Sequence, residues 1–559
     1  MRAMLRFSVS LLALSLLCGC GDKTKETKRK GDDDDSKRSE ETAKKEDQSL
    51  SRASRRLACE TLKQELTIDV YVTRDKLTEK AITATEALLK SYAEATLKPD
   101  GASEALKSKI KTRVIEVKND ADKTVATAAG LQEQTFSETQ GPNSALVMRG
   151  FFGFVLTYGA EKEVISWWPP DDPGSLEFYL TSKGRELRAR ADRVVTRIGF
   201  VSQKDELGPD DPDLMPAQAA SLTQIFGQYF PQYKIEPVDL KNGDAAIDAE
   251  IRGLIVTQPG RPYREKELRR IDEFVMRGSR GLVIAASAVN MTPGDLLMMA
   301  TLDRRGLEKL VAGYGMDMQN DAVLDYNLGL SYQGRSPIGA NTTMRMPAIF
   351  VSSPAAVGTT PYLDTSFAPF FRLGDLAFPF PSPIVLHPEK QPGAKQRIVA
   401  RTSAQATLDA RGVKSMLPSD GPPLGGAAEE RVIAAATEGE ISTAFPSGDN
   451  LGIVVPAKSP TPSRVLLVAA SQFFVNPFVV SSRPRETAVM IDPGFSQLGT
   501  AYAQGNATRL ILAFRGCLDW ISADEEMAEL AGKLKPVVRK DTPAAPAPSS
   551  KSLLDMFGK

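Results

Sequence analysis

The sequence predicts an α/β protein built in two parts, a small N-terminal α/β domain and a larger doubly wound α/β domain interrupted by a β-rich or irregular insertion. Three observations lead there. Short strand-like runs alternate with helix-length amphipathic segments through most of the chain, which is the pattern of a sheet covered by helices. Two runs, 251–256, broken only by Arg252, and 281–286, are apolar, as strands buried on both faces must be. Between 346 and about 460 that rhythm fails, and Pro, Gly, Ser and Thr become dense. With 559 residues, the chain is long enough for more than one core. Its 70 Lys and Arg balance 70 Asp and Glu, so there is no electrostatic ground for expecting nucleic acid as a partner.

Taken in order, the first segment is a secretory signal over 1–19. Arg2 and Arg6 precede an apolar run over 7–17, followed by the small residues Cys18, Gly19 and Cys20. That run is too short to span a bilayer as a helix. Leu17-Cys18-Gly19-Cys20 resembles a bacterial lipobox, which makes Cys20 the lipid-bearing first residue of the mature chain and Gly21 the second. Buried acyl chains contribute roughly 0.8 kcal/mol per CH2, so two or three chains hold a protein stably without a spanning helix. An ordinary signal peptide followed by free secretion is the alternative. Residues 20–52 then alternate basic and acidic side chains, with almost no apolar surface to offset ordering entropy, and read as a tether.

The first folded unit is expected over 53–175. Residues 66–72 alternate as a strand, 79–95 carry Ile82, Leu88, Leu89 and Tyr92 at helical spacing, and 111–117 alternate again. Residues 151–159 and 163–165 read as a closing hairpin. The unit has no Cys-x-x-Cys pair, so a thioredoxin-like shape here would not imply redox chemistry.

The larger domain is expected over 176–345 and 461–531, with the insertion at 346–460 and a Pro/Ala/Ser-rich tail at 532–559. Its helices are read at 179–194, 217–230 and 265–277, the last with Leu268, Ile271, Phe274 and Val275 on one face and Gly278 as C-terminal cap. Its strands are read at 197–201, 233–240, 251–256, 281–286 and 464–470. A final helix is read at 506–520, with Asn506 as N-cap. No stretch after the signal is apolar enough to span a bilayer.

Residues suited to chemistry are few. The only histidine, His387, lies between Leu386 and Pro388, so imidazole-based acid–base pairs have a single candidate and a lone loop histidine is a poor one. Once the leader is removed and Cys20 lipidated, Cys59 and Cys517 remain, and both are expected reduced and buried. No His/Cys cluster has metal-binding spacing. Asp205, Glu206, Asp210, Asp211 and Asp213 crowd the loop after strand 197–201, at the edge where α/β sheets bind ligands, but they lack the order and central glycine of a calcium loop. A solvated acidic loop is the plainer reading. There is no Gly-rich loop ending in Gly-Lys-Ser/Thr, and Gly150-Phe151-Phe152-Gly153 falls in the expected hairpin, so any ATPase must be another chain. Met291, Met298 and Met299 read as packing rather than a copper site. No catalytic, cofactor-binding or metal residue is therefore assigned.

Several segments carry a family resemblance. Residues 69–73 (Asp-Val-Tyr-Val-Thr), 158–165 (Tyr-Gly-Ala-Glu-Lys-Glu-Val-Ile), 176–181 (Leu-Glu-Phe-Tyr-Leu-Thr), Pro259-Gly260 and 265–274 resemble the auxiliary component of ABC-type uncharacterised transport systems, the gliding-motility auxiliary family. Gly315-Met316-Asp317, residues 321–325, Cys517-Leu518-Asp519-Trp520 and Asp524-Glu525 continue the likeness, which spans roughly 58–530. The resemblance implies a periplasmic module that accompanies an ABC permease and a separate ATPase. It also implies that the larger domain is similar in shape to class I glutamine amidotransferases and to the intraflagellar-transport fold that shares it. The amidotransferase nucleophilic cysteine is missing, since Ala285-Ala286-Ser287 and Ala469-Ala470-Ser471 stand at the strand ends. Many relatives are anchored by membrane helices, whereas this chain reads as lipidated.

The expected function is thus a non-catalytic scaffold or substrate-receiving module of an envelope ABC system, lipid-anchored with its folded part in the periplasm. One alternative is a carboxylate- or metal-dependent hydrolase using residues 205–213. Another is a cell-wall or glycan-binding lipoprotein using Trp167, Trp168 and the phenylalanines of 367–380.

Overall fold

The computed structural model describes residues 50–535, apart from 142–143, 173, 207–220, 293–297, 336–340, 354–359, 410–412, 417–426, 447–450 and 482–492. The signal, Cys20, nearly all of the tether and the C-terminal tail lie outside the described residues.

The N-terminal lobe opens on a short helix, α1 (Arg52–Arg56), whose first turn is capped by the Ser51 hydroxyl. Strand β1 (Leu66–Val72) leads into helix α2 (Glu79–Ala93), strand β2 (Ile110–Glu116) and helix α3 (Asp120–Ala128). Asn119 caps α3 with Asp122 answering it, a reciprocal pair that satisfies two otherwise orphan N–H groups. A hairpin that the sequence reading missed, β3 (Gln134–Gly141) with β4 (Ser144–Gly150), follows. The expected hairpin is β5 (Phe152–Tyr158) with β6 (Glu161–Ile165). The sheet runs β2-β1-β5-β6, with β1 parallel to β2 and antiparallel to β5. Alternation sets the two faces. Ile68, Val70, Phe154 and Leu156 pack with Ile82 and Leu89 of α2 and with helix α4 (Leu176–Ala191), while Tyr71 and Val155 pack with Ala126 of α3.

The larger lobe is a mixed sheet with helices on both faces. It comprises β7 (Thr196–Val201), helix α5 (Leu222–Tyr229), β8 (Tyr233–Val238), β9 (Gly253–Thr257), helix α6 (Glu265–Met276), β10 (Gly281–Ala285), helix α7 (Leu307–Gly313), β11 (Met316–Met318), β12 (Ile384–Leu386), β13 (Val432–Gly439), β14 (Ser463–Val468), helix α8 (Pro493–Ser522) and helix α9 (Glu525–Gly532). The order across the sheet is β8-β7-β9-β10-β14-β13-β12-β11. The first five strands are parallel and the rest antiparallel. Ile198, Phe200, Ile255, Val283 and Leu466 face α5 and α8; Leu254, Val256, Leu282, Ile284 and Leu467 face α6 and α7. That is the continuous burial that an apolar run requires.

Two readings change. The insertion is β-rich as expected, but it is not merely laid against the sheet, because β12 and β13 are strands of it and Ala394–Arg401 pairs with β13. Its phenylalanines fill the core over α8: Phe367 meets Trp520 edge-on at 5.3 Å, and Phe378 stacks on Phe473 at 5.3 Å. Asn506 does not cap a helix. α8 begins at Pro493, so Asn506 lies within it, buried, and donates to the Tyr502 carbonyl at 3.1 Å. Gly278, by contrast, takes φ of 76° one residue beyond the C-cap of α6, the left-handed conformation that ends helices and suits glycine.

Candidate functional site

In a parallel sheet, ligands bind beyond the carboxyl ends of the strands where the chain order reverses. Here β7 leads sideways to β8 and the chain then returns to the other flank of β7 as β9, so the reversal falls between β7 and β9. The segments that meet there are 202–206 after β7, 258–264 after β9, 286–290 after β10 and 469–475 after β14.

The first two are tied together around Glu267, on the first turn of α6 and fully buried. Lys204 Nζ lies 2.8 Å from Glu267 Oε1, which Gln203 Nε2 also reaches at 3.1 Å, while the Arg264 N–H donates to Oε2 at 2.7 Å. Glu206 fastens its own loop. It accepts from the backbone N–H groups of Gln203 and Lys204 at 2.8 and 2.6 Å, and from the Tyr263 hydroxyl at 2.8 Å. Burial and the neighbouring Glu206 charge push the Tyr263 phenol well above its ordinary range. Gly260 donates to the Lys204 carbonyl at 2.7 Å, and a Cβ there would sit 2.9 Å from that same oxygen, so the close approach of the two loops requires glycine.

A second network links β9 to β10. Gln258 accepts from the Ser287 N–H and donates to Asn290, both at 2.8 Å, and Arg305 donates to the same Asn290 oxygen at 3.1 Å. Asn290 passes its own N–H groups to the carbonyls of Ala288 and Asp303. The Ser287 hydroxyl, at the strand end where the resemblance placed a missing nucleophile, donates to the Phe380 carbonyl at 2.8 Å. These side chains brace the rim, and each is committed to a partner.

On the α5 and α8 side of the same strand ends lies a small, partly open cavity lined by Phe200, Thr257, Ala285, Ser471, Gln472 and Phe514, among others. Sequence reading noted Ser471 only as a residue standing in for cysteine and missed Gln472 altogether. No local signal marks either, because what distinguishes them is burial at a junction of distant segments.

The residues singled out from sequence are placed as follows. Asp205 is exposed and paired with Arg261 at 2.9 Å, and Glu206 is held as above; Asp210, Asp211 and Asp213 lie outside the described residues. Among the described residues no group of three or more His, Cys, Asp or Glu is placed to hold a metal ion. His387 Nδ1 lies 3.0 Å from Glu389. Cys59 and Cys517 are buried free thiols, and burial raises the pKa of both. Met298 is core, packed with Met346 and Phe380.

Of the aromatic residues named for the glycan-stacking alternative, Trp167 and Phe371 are only partly buried. Trp168 is buried, covered by Arg372 at 4.1 Å, and donates its indole N–H to the Asp172 carbonyl; Phe367, Phe370, Phe378 and Phe380 are likewise buried, so their ring faces are spent on packing.

A family model described as an ABC-type uncharacterized transport system matches residues 196–496, just over half of the chain. No curated protein matches. Among solved structures, one titled "mmIFT52 N-terminal domain" is 12% identical, covering 50% of this chain and 89% of its own, with a TM-score of 0.28, a superposition too loose to bear on fold or function.

Proposed function

The chain belongs to the ABC-type uncharacterized transport system family, as an auxiliary component, and from that premise we propose that it is a non-catalytic scaffold or substrate-receiving module working in the periplasm beside an ABC permease and a separate ATPase. The observation that carries the non-catalytic reading is the rim of the parallel strands. Ser287, Lys204, Glu206 and Glu267, though not Ser471, are bound to one another, to Tyr263 or to backbone, in the region where an α/β enzyme of this topology would keep its reacting groups free. The likeness of the larger lobe to class I glutamine amidotransferases and of the first lobe to thioredoxin belongs to the same proposal, supported by the parallel strands with helices on both faces and by the strand–helix–strand opening. Attachment through a lipid on Cys20 is supported by the residues of the leader alone.

Two measurements test this. Purification from detergent-solubilised membranes is expected to recover the protein with a permease and an ATPase, and recovery of the intact protein alone after mild crosslinking would overturn the reading. Replacing Cys20→Ala should release the protein from membranes while the folded lobes keep their melting temperature, because sites that share no contacts contribute additively. An intact mass showing an unmodified N-terminus at another residue would sink the anchor.

A further inference from the structure

We propose that the cavity beneath the carboxyl ends of the parallel strands is a binding site for a small neutral ligand that presents a hydroxyl group on an apolar stem. The cavity is bounded by Phe200, the last residue but one of β7, by Thr257 and Ala285, which end β9 and β10, and by the turn after β14. It therefore includes both strands between which the chain order reverses, the place where a sheet of this kind leaves a crevice. Two of its walls are polar and unused. Ser471 is 3% exposed and Gln472 5%, and neither Ser471 Oγ nor Gln472 Oε1 has a hydrogen-bond partner. Buried polar atoms are nearly always bonded, so two orphans lining one cavity point to something that enters it.

The chemistry of the walls selects the class. A glutamine oxygen only accepts, whereas a serine hydroxyl donates or accepts. One hydroxyl group satisfies both, donating to Gln472 and accepting from Ser471. The interior volume is about 20 Å³, which holds a group the size of a water molecule and no more. The remaining surface is mostly aromatic and aliphatic, including Phe473, Phe474 and Phe514, and suits a hydrocarbon stem leading outward. None of the described lining residues is charged, so a carboxylate, phosphate or ammonium would lose hydration there without gaining a counter-charge.

The test is a saturation-transfer NMR titration of the full-length protein with n-butanol, beside n-butyrate and n-butylammonium. The alcohol should saturate one site and the two ions should not. Ser471→Ala and Gln472→Leu should each weaken n-butanol by at least about fivefold, the loss of one hydrogen bond. Because neither atom bonds to protein, both variants should keep or raise the melting temperature. A fall in melting temperature would mean that these groups hold the fold together, and would overturn the proposal. Equal n-butanol binding by wild type and variants, or no saturable binding, would do so as well and would leave a resident water as the occupant. None of these outcomes depends on whether a permease co-purifies, so this site and the transport reading fail separately.

Discussion

Glu236, on the edge strand β8, shows what one charged residue contributes when geometry is favourable. Arg197 on β7, two register positions away on the adjacent strand, donates Nε and Nη2 to the two carboxylate oxygens at 2.9 and 2.7 Å, a bidentate pairing, and reaches Asp248 at 2.9 Å. Those hydrogen bonds, partly opposed by burial, hold the Glu236 carboxyl down at about 2 against an ordinary value of 4.5. A carboxyl whose folded pKa is depressed stabilises the fold above its unfolded pKa and loses that contribution as pH falls through the folded one. The Glu236 contribution is therefore present in full above about 4.5 and fades toward about 2. Thermal melts across that interval should show Glu236→Gln losing less stability on acidification than wild type. Parallel acid limbs for the two proteins would refute the assignment.

At the scale of elements, the docking of α8 on the sheet rests on two glycines placed side by side. Gly253 opens β9, Gly281 opens β10, and the two are register partners under Ile521. A Cβ on Gly253 would meet Ile521 Cγ1 at 2.4 Å and Cδ1 at 2.7 Å, atoms near the end of a side chain. A Cβ on Gly281 would meet Ile521 Cα at 2.3 Å and its carbonyl oxygen at 2.5 Å, which are backbone. Overpacking a core costs about 1–3 kcal/mol, and more where the obstacle cannot rotate away. Both Gly253→Ala and Gly281→Ala should destabilise, the second more. Adding Ile521→Ala should recover part of the first loss and little of the second, read as urea midpoints at constant slope. Equal recovery in both backgrounds would show that helix position, not side-chain overlap, sets the cost.

At the scale of the molecule, the lobes are joined by buried charge as well as by apolar contact. Glu186 of α4, almost fully buried, faces Lys183 at 3.2 Å, Arg190 at 3.1 Å and, from α8 of the larger lobe, Arg515 at 2.5 Å. Burial opposes its ionisation, but Arg515, Lys183 and Arg190 together hold the carboxyl below its ordinary value. Arg185 pairs with Asp524 and Arg52 with Glu526 at 2.9 Å along the same seam, and Phe178 meets Phe371 edge-on at 5.4 Å. Removing one member of a buried charge cluster strands the others, so Glu186→Ala should cost about 3–5 kcal/mol. The loss should appear in the common unfolding transition of both lobes, followed by calorimetry. A variant in which the N-terminal lobe alone melts early would show that Glu186 stabilises its own lobe and not the seam.

The sequence by itself determined the mixed α/β class, the succession of strand and helix from β1 to β10 except helix α3 and the β3–β4 hairpin, the glycine that ends α6 and the family to which the chain belongs. These depend on periodicity, cap chemistry and ordered local segments, all contained within windows of a dozen residues. Tertiary structure alone decided that Val432–Gly439, an alanine-rich segment in the Pro- and Gly-dense region, would pair with β14 and continue the main sheet. It decided that Asn506 would lie within a helix rather than at its start, and that Phe367, Phe370 and Phe378 of the insertion would be buried in the core over α8. It alone brought Lys204 to Glu267 and left Ser471 and Gln472 buried without partners around one cavity. The physical reason is that a strand's neighbours and a polar group's solvent access are set by surfaces far apart in the chain. Local pattern records which face of an element is apolar, but not which distant face will cover it.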